Sequence, residues 1–210
     1  MHNTPFTRRQ SLQWAAALAA GSTLPSLAQS EWPKDKTITF IVPFTAGSGT
    51  DVIARTVAEK LGPLLGAQIV IDNKTGAGGT VGAALVAKAP ADGYTMLVHS
   101  SGHVVNPALY PKLSYDTLKD FDGISPLASL PNVIVVSPNK GYKDVADLVA
   151  KAKAQPGVLN YASAGNGSAT HMNAEKFRVA AGVQAQHVPY RGTPEALTET
   201  ASGRIDWFFA

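Results

Sequence analysis

The chain has 210 residues, of which 45% are hydrophobic and 16% charged, and it contains no cysteine. Its 19 glycines and 14 prolines fall short of the roughly 25–30% that marks a low-complexity chain, so disorder throughout and collagen-like fibres are excluded, as are disulfide scaffolds, thiol nucleophiles and cysteine-ligated metal centres. The net charge of +3 includes Arg8 and Arg9 of the leader-like segment; the remainder is nearly neutral, without the concentrated basic patch that phosphate neutralisation requires, which argues against nucleic acid as a partner.

The N-terminus reads as an address. Arg8-Arg9 precedes a short alanine-rich apolar stretch, Leu12–Ala20, and Ser26-Leu27-Ala28 offers small residues for a signal peptidase. A charged region, an apolar region and a cleavage site in that order predict a signal peptide over 1–28. The apolar stretch is too short for a membrane span. The arginine pair resembles a Tat signal, while Ser11 and Gln13 stand where that pattern prefers Phe and Lys, leaving Sec export open. Either route predicts a periplasmic protein.

From there the chain alternates strand-like and helix-like pieces. Thr37–Val42 predicts a buried strand and Asp51–Leu65 a helix, with Val52, Ile53, Val57, Leu61, Leu64 and Leu65 at helical spacing. Ile69–Ile71 follows as a strand, Gly78–Ala89 as a small-residue helix closed by Pro90-Ala91-Asp92-Gly93, and Thr95–His99 as a strand. Lys112–Asp122 is polar and irregular. Ile124–Ala128 and Val133–Val136 predict strands around Pro131. Asp144 with Asp147 marks the start of a helix that stops at Gln155-Pro156-Gly157. Asn160–Ser163, His187–Pro189 and Ile205–Phe208 predict strands, and Ser168–Ala180 and Thr193–Ser202 helices. This alternation predicts an α/β fold of two parallel-sheet units with right-handed crossovers, 31–129 and 130–210. Trp207-Phe208-Phe209-Ala210 is an apolar strand with no helix after it, which predicts a second unit cut short at the C-terminus.

Two loops carry the candidate chemistry. Pro43–Asp51 and Ala162–His171 each join a strand to a helix start through glycines and small hydroxyl residues. Glycine lets backbone approach a ligand, and the first-turn N–H groups face outward with the positive end of the helix dipole. Neither loop has the lysine of a phosphate-binding P-loop. Two such loops, one per unit, suit a small anion or carboxylate held in a crevice at the strand ends; capping of the helices is the plainer role for the same hydroxyls. A third glycine-rich stretch, Ile71–Thr80, is read as close helix–sheet packing. His99, His103, His171 and His187 accompany several serines, which leaves a secreted serine-type hydrolase as the alternative, although no Gly-x-Ser-x-Gly pentad occurs. No metal site is predicted, because His99 and His103 fall on a strand end and beyond Gly102.

Taken together, Trp32-Pro33, Ile41–Asp51, Gly76–Thr80, Pro90–Thr95, Asn106–Tyr110, Leu159–Ser168, His171 and His187–Gly192 make the chain from Glu31 onward resemble the tripartite tricarboxylate transporter substrate-binding proteins, the Bug family. The resemblance implies a monomeric periplasmic receptor rather than an enzyme. It implies two α/β domains of periplasmic binding protein type, a small carboxylate or amino-acid ligand between them, delivery to the membrane subunits of a tripartite transporter, and no cofactor. It places ligand-facing residues at Phe44, Thr45, Ala46, Gly47, Gly49 and Asp51 in the first loop and at Ser163, Ala164, Gly165, Asn166, Ser168 and His171 in the second, with Thr193 from a further helix. Asp51, itself an anion, is expected to fix the first loop through nearby N–H groups. Ser48 stands where many members have glycine, and family chains continue for roughly another hundred residues.

Overall fold

The structure, a computed structural model, describes residues 32–33 and 36–210, so the leader reading at 1–28 lies outside the described residues. β1 (Ile38–Val42) is the centre of a three-stranded parallel sheet, between β2 (Ile69–Asn73) and β3 (Thr95–Leu97). A strand paired on both sides and covered on its faces reads as a continuous apolar run, and Ile38, Phe40 and Val42 are buried. The crossover helix α1 (Gly49–Leu65) lays Ala54, Val57, Ala58, Leu61 and Leu65 against this core. Val52 and Leu64, counted in the same sequence pattern, face solvent. Gly66 ends the helix in the left-handed conformation, φ 63°, where glycine carries no side-chain penalty.

The next helix is shorter than the sequence predicts. Gly78 and Gly79 have φ of 61° and 97°, which breaks the helical run, so a 3-10 turn over Ala77–Gly79 precedes α2 (Thr80–Ala87). α3 (Gly102–Leu109) is a helix that sequence reasoning missed, because Gly102 and Pro107 argue against one. Its proline sits late in the helix, and the Tyr110 N–H still bonds to the Asn106 carbonyl.

The second sheet has the order β4-β7-β5-β6: β4 (Ile134–Val135), β7 (Trp207–Phe209), β5 (Asn160–Ser163) and β6 (Gln186–Pro189). β5 runs parallel to both β6 and β7. β4 is an antiparallel edge strand on β7, a qualification of the all-parallel expectation. α4 (Val145–Ala154), α5 (Ala169–Ala181) and α6 (Thr193–Ala201) complete this lobe. The Asp144 carboxylate accepts from the Asp147 N–H at 2.8 Å and caps α4 as its spacing suggests. The expected strand at Ile124–Ala128 does not form. Pro126 and Pro131 each remove a ladder donor, and Ile124 is 77% exposed in an irregular segment leading to β4. The C-terminal strand, expected at Ile205–Phe208, forms at Trp207–Phe209 as an inner strand of this sheet: Trp207 and Phe208 are fully buried, Trp207 in a core with Leu148, Tyr161 and Ala174.

Candidate functional site

The loops after β1, β3 and β5 open on a cavity of about 660 Å³ between the two sheets, within the size range of small-ligand sites. Phe44, Gly49, Ala164, Ser168 and Thr193 of the expected site line it. The starts of three helices meet there: Gly49 and Thr50 of α1, Ala169 and Thr170 of α5, and Thr193 of α6. Among the described residues, no Asp, Glu, Lys or Arg lines it. Ser168 caps α5 by accepting from the His171 N–H at 3.2 Å, which leaves the Ala169 and Thr170 N–H groups without intrahelical acceptors. α1 has no side-chain cap, because the Ser48 hydroxyl turns to the other lobe and accepts from the Thr193 N–H at 3.1 Å. The cavity therefore presents backbone donors, hydroxyls and positive helix ends rather than formal charge.

The remaining expected residues hold the frame. Thr45 donates to the Glu195 carboxylate at 2.8 Å and so ties the first loop to α6. Asp51 is buried and accepts from the Gly47 N–H at 2.8 Å, from Arg55 at 2.9 Å and from Asn73 at 2.8 Å. Burial pushes its carboxyl upward, but Arg55, the Gly47 N–H and Asn73 outweigh that and hold it below the usual value. Asn73 also donates to the Phe44 carbonyl, so the loop that carries Phe44, Ala46 and Gly47 is pinned at both ends. Gly165 and Asn166 line a smaller cavity of about 210 Å³ with Tyr110 and Arg191. His171 faces inward along α5 and accepts from the Gly167 N–H at 3.1 Å.

Glycines set how closely the lobes approach. An added Cβ at Gly78 would lie 1.8 Å from the Asn166 carbonyl oxygen, and one at Gly102 would lie 2.5 Å from that of Gly167. The glycines of the third stretch thus serve close packing, part of it across the two lobes. Gly192 is equally tight against Thr45 and Ser48.

Ser163 is the residue the structure moves furthest from its expected role. It is fully buried. Its hydroxyl contacts His187 Nε2 at 2.6 Å and accepts from the Gly165 N–H at 3.0 Å. A serine–histidine contact is what the hydrolase alternative needs, but this serine lines neither cavity, and burial together with the His171 charge lowers His187 to about 4, a poor general base near neutral pH. His99, which the sequence reading left outside the site, lines the cavity, stacks edge-on against Phe44 at 5.4 Å, and is lowered to about 4 by burial and by His103. The irregular Ser125–Asn132 segment forms another wall. Its first residues read as part of a strand, and that reading carried no signal for this role.

Two α/β lobes with a cavity at the ends of their parallel strands have the architecture of the periplasmic binding proteins. The chain belongs to the tripartite tricarboxylate transporter family receptors, whose profile matches residues 53–210. Its structure is similar to that of R. palustris Rpa4515 with adipate, at 36% identity and a TM-score of 0.81 over 85% of this chain and 60% of that one. It is similar to the periplasmic binding protein BugD, at 32% identity and a TM-score of 0.79 over 83% of this chain and 58% of that one. It also resembles MatC from Rhodopseudomonas palustris with bound malate, at 34% identity and a TM-score of 0.78 over 82% and 59%. The chain spans about half the length of the first curated relatives it matches, 50% and 56%.

Proposed function

We propose that the protein is a periplasmic receptor that takes a small carboxylate, most simply a dicarboxylate, into the 660 Å³ cavity and delivers it to the membrane subunits of a tripartite transporter. It acts as a monomer, without a cofactor and without turnover, after removal of a leader near Ala28, and its two domains meet close to residue 130. The observation that carries this reading is the convergence of three helix starts on one cavity with no Asp, Glu, Lys or Arg among the described residues of its wall. A carboxylate there meets the positive start of α5, whose first turn carries no acidic residue, worth roughly 0.3–1 kcal/mol, and takes hydrogen bonds worth roughly 1.5–3 kcal/mol each to a charged acceptor. A methyl ester keeps the carbonyl and the carbon chain, removes the charge and adds one methyl group at the carboxyl end. The apolar wall of Phe44, Ile53, Leu97 and Leu130 suits the methylene chain of such a ligand. Adipate and malate, bound in two related structures, are the first compounds to try.

The test is a thermal-shift screen of the 210-residue chain against adipate, malate, shorter and longer dicarboxylates and amino acids. At a hundredfold excess over Kd a ligand stabilises by about 2.7 kcal/mol, which for a chain of this size raises Tm by about 5–10 °C. One carboxylate is expected to do so while its dimethyl ester does not. Equal shifts with acid and ester, or ester hydrolysis abolished by Ser163→Ala, would contradict the receptor reading.

A further inference from the structure

His171 and His187 lie with ring centroids 4.1 Å apart and planes 20° from parallel. Each meets one end of the glycine loop that follows β5. His171 Nδ1 accepts from the Gly167 N–H at 3.1 Å, so that nitrogen carries no proton. His187 Nε2 lies 2.6 Å from the Ser163 hydroxyl, which in turn accepts from the Gly165 N–H at 3.0 Å; with a neutral ring the chain runs Gly165 N–H to Ser163 O–H to His187 Nε2. Gly165 and Gly167 both have positive φ, 110° and 80°. Their N–H groups are thus held through two stacked imidazoles immediately before the Ser168 cap of α5.

We infer that His171 and His187, as neutral rings, are positioning residues that brace the Gly165–Ser168 loop in its ligand-accepting shape, and that the loop is released when the pair gains protons. The inference rests on reading this loop as part of the ligand wall. A proton on His171 Nδ1 replaces the acceptor of the Gly167 N–H with a second donor. A proton on His187 Nε2 makes the Ser163 oxygen accept twice and leaves the hydroxyl hydrogen to find another partner. Two charged rings at this separation also repel.

The surroundings decide where the change falls. Burial holds both rings below the ordinary histidine value, His187 at about 4, where the charge on His171 adds to the effect of burial. From α5, Glu175 faces the pair and pulls both values back up, but Arg178 and the Tyr161 hydroxyl, which donates to it, already engage its carboxylate. From β5, Tyr161 stacks on His187 at a centroid distance of 5.0 Å. Groups depressed in this way are neutral above about pH 6.5 and gain protons as pH falls toward 4. The brace is whole in the upper range and lost on acidification.

Amide hydrogen exchange on the ligand-free chain, expressed as protection relative to intrinsic rates, reads the brace directly. In the wild type, protection of the Gly167 amide is expected to fall at least tenfold between pH 7 and pH 4 while the β1 amides keep theirs. His171→Phe keeps the stack and removes the acceptor, so Gly167 should lose protection already at pH 7. His171→Asn combined with His187→Gln supplies non-titrating acceptors at similar positions and should keep the Gly167 amide protected down to pH 4. Unchanged protection in His171→Phe, or a wild-type profile flat from pH 7 to pH 4, would overturn the inference. Loop amides that respond as expected in a protein binding neither adipate nor malate would count against the proposed function and leave the brace standing.

Discussion

Gly102→Ala is expected to weaken carboxylate binding at least tenfold while leaving the stability of the ligand-free protein within about 1 kcal/mol of wild type, because alanine favours a helix over glycine by up to about that amount. Gly102 opens α3 without a positive φ, so alanine meets no local strain. Its Cβ would lie 2.5 Å from the Gly167 carbonyl oxygen and 3.2 Å from Ser168 Cα, both backbone atoms of the opposing lobe. Backbone cannot swing aside as a long side chain does, so the lobes must stand further apart, and a shift approaching 1 Å removes donors from hydrogen-bond reach. Tenfold is 1.4 kcal/mol, less than one charge-assisted hydrogen bond. Gly123→Ala is the control, because a Cβ there meets nothing within 4 Å. Calorimetric titration with whichever of adipate or malate binds, alongside urea unfolding, separates the two effects. Wild-type affinity in Gly102→Ala would mean that closure at this contact plays no part in binding.

Trp207→Ala should lower stability by about 3–5 kcal/mol, a large share of the roughly 5–15 kcal/mol available to a typical domain. Trp207 is fully buried, stacks on Tyr161 at a centroid distance of 5.5 Å and meets the edge of Phe177 at 6.2 Å. It lies on an inner strand, and its neighbour Phe208 pairs with Val135 on one side and Ala162 on the other. Loss of the indole therefore leaves a cavity beside β5, the strand that delivers the Ser163–His171 loop. Urea unfolding followed by circular dichroism is expected to show a collapsed midpoint. A loss below about 1 kcal/mol would mean that the second sheet is not built around β7.

The strand and helix positions that place the two candidate loops were legible because they rest on local pattern. β1, α1, β5 and α5 follow from apolar spacing and from glycine–hydroxyl loops at helix starts. Elements defined by distant partners were not. Ile124–Ala128 has strand-like composition, but two prolines and the lack of a pairing edge leave it as a cavity wall. Ile205–Phe208 was legible as a strand but not as an inner one, because its pairing partners, Val135 and Ala162, lie dozens of residues earlier. α3 was hidden by Gly102 and Pro107, the first needed for lobe contact and the second tolerated near a helix end. Within the candidate site, residue type did not give the direction of each side chain. Thr45 and Ser48 hydrogen-bond across the lobes, and Ser163 turns inward to His187.

A crystal structure of this chain grown with adipate tests the central claim most directly. One carboxylate is expected in the cavity between the lobes, with its oxygens within about 3.2 Å of the backbone N–H groups of Ala169 or Thr170 on one side and of Gly49 or Thr50 on the other. The methylene chain should lie along Phe44 and Leu130. Adipate bound only outside this cavity, or a carboxylate paired to a basic side chain such as Arg191 instead of to the helix starts, would contradict it.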